Sequence, residues 1–65
     1  MKPHEERVVV EADELAIKVQ SLTDFMDGNY FKESIDSEEQ FRLTNQLTYM
    51  NKYLRVLKER IENFK

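Results

Sequence analysis

At 65 residues the chain is one small domain, and a folded chain of that length leaves so much surface in water that a single core stabilises it poorly. Cysteine is absent and histidine occurs once, which excludes disulfides and histidine-rich metal centres as reinforcement and leaves self-association as the route open to small scaffolds. A net charge of −3 argues against wholesale duplex DNA binding, no stretch approaches the ~18 apolar residues of a membrane span, and cysteine-free composition fits a reducing cytosol.

One glycine, one proline and 35% charged residues suit helices, and the expected fold class is all-α. Val8, Ala12, Leu15, Val19, Leu22 and Met26 follow a 4-3-4-3-4 spacing, the 3.5-residue repeat of one helical stripe. Pro3 suits a first helical turn because its missing N–H costs nothing there, and Glu5 and Glu6 suit the positive end of the dipole. Asp27-Gly28-Asn29 offers residue types that tolerate a left-handed cap. The first helix is therefore expected over about residues 3–27.

Residues 28–36 carry Tyr30, Phe31 and Ile35 among polar neighbours. They read as a loop, with room for a short helical turn, in which Phe31 and Ile35 fold back to plug the open end of a hairpin. Ser37-Glu38-Glu39-Gln40 has the form of a capping box, with the serine hydroxyl capping a backbone N–H and Gln40 reaching back. Leu43, Leu47, Met50, Leu54, Leu57, Ile61 and Phe64 then give a second stripe, followed by cations suited to the negative helix end. A second helix is expected over about 37–64. With a short connection the two make an antiparallel hairpin, forming a single domain over 1–65.

Two stripes do not close a core. A second apolar set, Val9, Ile17 and Phe25 on the first helix and Tyr49, Tyr53 and Val56 on the second, is left over. Covering it by a second hairpin predicts a homo-oligomer, either a four-helix bundle or a higher symmetric assembly.

No catalytic constellation is present. The sequence holds no cysteine nucleophile, no glycine-rich phosphate loop and no paired-histidine or Glu-x-x-His spacing, so the reading is a non-enzyme without cofactor or metal. Charge is uneven, however. Residues 1–36 hold nine acids and four bases, and residues 37–65 hold four acids and six bases. In an antiparallel hairpin the basic end of helix two, with Tyr53, Lys58 and Arg60, meets His4, Arg7 and Glu11. Arginine offers phosphate a bidentate fork, and tyrosine offers a base a stacking face. The same cations equally serve as solubilising charges balancing Glu59 and Glu62.

The chain resembles a family of short tailed-phage helical-hairpin proteins, known from crAss-like and other phages, over nearly its whole length. The likeness rests on Lys2-Pro3-His4-Glu5-Glu6-Arg7-Val8-Val9, Glu11, Glu14-Leu15, Lys18, Phe25 and Asn29-Tyr30-Phe31, then Gln46-Leu47, Met50, Tyr53, Leu57 and Arg60-Ile61. Val10 and Ala12 depart from it, standing where polar residues are expected. The resemblance implies a phage accessory protein in the cytoplasm of the infected bacterium. Small oligomeric phage hairpins include sponges that sequester the cyclic-nucleotide or ADP-ribose-derived signals of defence systems such as CBASS and Thoeris, a likeness at the level of fold.

The leading expectation is thus a sponge for a nucleotide immune signal, with Arg7, Lys58 and Arg60 on phosphate and His4 and Tyr53 on base or ribose. The alternative is an oligomeric adaptor that docks a host or phage protein on Val9, Ile17, Tyr49 and Val56. A nucleic-acid ligand fits the acidic balance least well.

Overall fold

A computed structural model describes residues Met1–Lys65. It contains three helices and no strand: α1 (Pro3–Asp27), α2 (Asn29–Ser34) and α3 (Ser37–Glu62). The two long helices form an antiparallel hairpin measuring 47 × 15 × 13 Å. No helix is long and apolar enough to cross a membrane.

The start of α1 is fixed by its own sequence. Lys2 is extended at φ −72° and ψ 152°, and Pro3 opens the helix. The Lys2 backbone N–H donates to Glu5 Oε1 at 2.9 Å, so Glu5 satisfies a donor that no intrahelical carbonyl can reach. Three residues before Val8, Glu5 continues the seam stripe and is the one buried charged residue.

The junction after α1 differs from the expectation. Gly28 takes an extended conformation, φ −83° and ψ 161°, and no residue has a positive φ. The chain turns directly into α2, so Gly28 serves at once as the cap of α1 and the residue before the next helix. Its N–H closes on the Phe25 carbonyl at 3.2 Å. The connecting segment is accordingly helical over six residues. Phe31 is buried within it and meets Phe25 edge-on, with ring centroids 5.9 Å apart, while Tyr30 lies 6.1 Å from Phe25 on another side. The plug at the closed end is an aromatic group built around Phe25.

The start of α3 is also revised. Its cap is Asp36, whose carboxylate accepts from the Glu39 N–H at 2.9 Å, and Ser37 is the first helical residue. Aspartate and serine are comparably good caps; the exit from α2 leaves Asp36, not Ser37, as the extended residue before the helix. Gln40 reaches back, as expected, but to different groups: its side-chain amide donates to the carbonyls of Ile35 at 2.7 Å and Phe31 at 3.1 Å. The far end stops at Glu62, two residues short of the expected boundary, where the Asn63 side chain donates to the Glu59 carbonyl. Phe64 nevertheless packs on the core.

The core is the meeting of the two stripes. Val8, Ala12 and Leu15 of α1 and Leu54 and Leu57 of α3 are buried together, flanked by Ala16, Val19, Met50, Ile61 and Phe64. Leu57 alone is fully enclosed. This is a narrow seam, and most of both helices faces water.

Candidate functional site

The candidate residues sit on helix flanks, so their grouping follows from rotation about each axis, about 100° per residue. On α1, His4, Arg7 and Glu11 lie within an arc of about 60°, on one flank of the Val8–Ala12–Leu15 stripe. On α3, Tyr53 and Arg60 share an arc of about 20°, with Tyr49 and Val56 just beyond it. In heptad terms His4, Glu11, Tyr53 and Arg60 all precede the first core position, and in an antiparallel pair those flanks run side by side. Because the start of α1 lies against the end of α3, the open end of the hairpin gathers His4, Arg7, Glu11 and Arg60 on one side, with Tyr53 farther along.

Lys58 does not join them. It stands two residues from Arg60 and therefore about 160° away around α3, on the opposite flank. The leftover apolar set also divides. Val9 and Phe25 are about 160° apart on α1; Val9 is half-buried, and Phe25 belongs to the aromatic plug. Ile17 is 67% exposed and points away from the seam. Tyr49, Tyr53 and Val56 do form a continuous exposed ridge on α3, and Lys52 Nζ lies 5.8 Å from the centre of the Tyr49 ring.

The cations at this end have no internal partners. The two salt bridges of the molecule are Arg42–Glu39 at 2.8 Å and Arg55–Glu59 at 3.7 Å, both exposed and within α3. Arg7, Lys58 and Arg60 take part in neither. No hydrogen bond ties His4, Arg7 or Glu11 to Tyr53 or Arg60, so their side chains are free to meet something else.

A shallow depression of 540 Å³ lies on the outer face of α1, lined by Pro3, Glu6, Arg7, Val10, Glu11 and Glu14. It takes in two of the six expected ligand residues. Three carboxylates against one guanidinium give it a negative balance, so by itself it repels phosphate. Val10, which the sequence marked only as standing where a polar residue is expected, lies off the seam. Its rotation, close to that of Pro3 and Glu14, is the signal that places it here. No group of three or more carboxylate and histidine side chains is arranged to hold a metal ion.

The profile of the family described as Sequestin matches residues 2–63, and the chain belongs to that family. The family name is consistent with a sequestering role. No curated protein and no solved structure matches the chain.

Proposed function

With Sequestin membership as the premise, we propose that this protein is a non-catalytic, phage-encoded sponge. It binds a nucleotide-derived bacterial immune signal, of cyclic-nucleotide or ADP-ribose type, in the cytoplasm of the infected host and removes it from its receptor. The observation that carries the reading is the unpaired guanidinium groups of Arg7 and Arg60 on the same side of the hairpin as His4, Glu11 and Tyr53. Guanidinium forks bind phosphate through two parallel charge-assisted hydrogen bonds. The Tyr53 ring, 46% exposed, offers a face for a base, His4 and Glu11 supply polar contacts for ribose, and Lys58 contributes only long-range charge from the opposite flank. Sequestration needs no bond making.

The test is calorimetric titration with a panel of cyclic dinucleotides and ADP-ribose derivatives, followed by denaturation and chromatography of the released ligand. Binding with full recovery of unaltered ligand is expected. Arg60→Ala should weaken it about 10- to 100-fold, the equivalent of one charge-assisted contact, and Tyr53→Phe should weaken it less, with the helical signal unchanged. Absence of binding across the panel, or recovery of a cleaved product, overturns the reading.

The exposed Ile17 and Tyr49 side chains, each 67% accessible, favour a second reading in which the hairpin is an adaptor. It is distinguished by capture of one defined host or phage protein with no response to nucleotides.

A further inference from the structure

The side chains gathered at the open end include two guanidinium groups, Arg7 and Arg60, and one carboxylate, Glu11. Glu11 stands one turn after Arg7 and about 40° from it around α1, yet the two form no ion pair, and Glu11 enters neither salt bridge of the molecule. It is half-buried, whereas His4, Arg7, Tyr53 and Arg60 are exposed, so its charge is screened less than theirs. Glu6 and Glu14 line the same patch of α1 as Arg7 and Glu11, and Lys18, the next cation along that flank, lies about 10 Å beyond Glu11. An anion held by Arg7 therefore has a fixed negative charge at its side.

On the basis of the sequestration reading, we propose that Glu11 is a specificity-determining residue: it admits nucleotides whose phosphates are esterified on both sides and rejects those with a terminal phosphate. A doubly esterified phosphate carries a single negative charge, so a ligand with a pair of them matches the two guanidinium groups. A terminal phosphate carries about −1.5 to −2 at pH 7, because its second ionisation falls near 6. ADP thus bears about one charge more than such a ligand, and ATP about two more. The surplus charge meets the Glu11 carboxylate with both guanidinium groups already engaged, and this repulsion discriminates by penalising the wrong ligand. Linear nucleoside di- and triphosphates are abundant in any cell, and a binder they filled would take up little of a scarcer signal.

Equilibrium titration of the full chain with ADP-ribose, cyclic di-AMP, ADP and ATP at neutral pH tests it. Glu11→Gln removes the charge and keeps an acceptor for ribose hydroxyls; Glu33→Gln makes the same change of net charge on the exposed face of α2, at the other end of the hairpin. Glu11→Gln should raise the affinity for ATP about 10-fold and that for ADP-ribose or cyclic di-AMP less than about 3-fold, because the repulsion removed scales with ligand charge. Glu33→Gln should change neither, and circular dichroism should show the same helical content in all three proteins. No gain for ATP in Glu11→Gln, an equal gain in Glu33→Gln, or a wild type that holds ATP as tightly as ADP-ribose and cyclic di-AMP overturns the proposal, and does so without touching the sponge if a signal of the wider panel still binds. A selective gain for ATP in a protein that takes none of that panel supports the role of Glu11 and overturns the sponge alone.

Discussion

The two ends of the hairpin are built on different physics. At the closed end the chain is tied down by directional contacts: Gln40 donates to two carbonyls of the connection, Asp36 caps α3, and Phe25, Tyr30 and Phe31 pack ring against ring. At the open end the helices are held by apolar packing alone, with Val8 against Leu57, Ile61 and Phe64 in one cluster and no cross-helix hydrogen bond or ion pair. The unpaired cations gather at that second end. The comparison teaches that local polar contacts set the geometry of the connection, while the end that carries the candidate site depends on a seam that a few side chains supply and leaves its charges free.

Each substitution below probes that contrast, and all unfolding measurements need one fixed protein concentration, because association adds to apparent stability. Leu57→Ala should have the largest effect. It opens a void at the one fully enclosed position and should destabilise by roughly 2–5 kcal/mol, read as a large drop in the urea midpoint or as loss of the helical signal in water. Gln40→Ala should come next, at roughly 1–2 kcal/mol, because two carbonyls of the connection lose their donor. Hydrogen exchange should then quicken in α2 while the amides around Leu54 stay protected; uniform acceleration would show that the ends are not independent. Asp36→Ala removes the cap of α3 and should cost about 1 kcal/mol, with asparagine at the same position restoring most of it. Arg42→Ala, which breaks an exposed ion pair with Glu39, should change stability by less than about 0.5 kcal/mol; a larger loss would mean the closed end relies on charge as well as on hydrogen bonds.

The two stripes made the hairpin readable before any coordinates. Val8 through Met26 and Leu43 through Phe64 keep the 3.5-residue repeat without interruption, and a repeat of that length has one way to bury itself against a neighbour. Pro3 and the run of acids after it marked the start of α1 for equally local reasons. The helical connection was half-legible: of the expected plugs Phe31 and Ile35, Phe31 is buried and Ile35 only half-buried, and six residues give too short a period to separate a helix from a loop.

Other features depended on where the chain goes next. Asp36 and Ser37 are both good capping residues, and the choice between them was decided by the exit from α2, which also drew Gln40 to the carbonyls of Phe31 and Ile35. Gly28 could have ended α1 in a left-handed turn; the immediate entry into α2 required an extended one. The candidate site was more legible. That the cations and tyrosines of α3 lie toward the start of α1 followed from the antiparallel order, and the two-residue spacing of Lys58 from Arg60, about 160° around α3, was likewise legible in the sequence.

By itself, then, the sequence determined the all-helical class, the two long helices and the pairing of their apolar stripes, because those rest on residue type and period within a single element. The tertiary structure decided how the connection is tied, which charges share a side and which surfaces stay unpaired, because these depend on the rotation of each helix about its axis once the seam has closed.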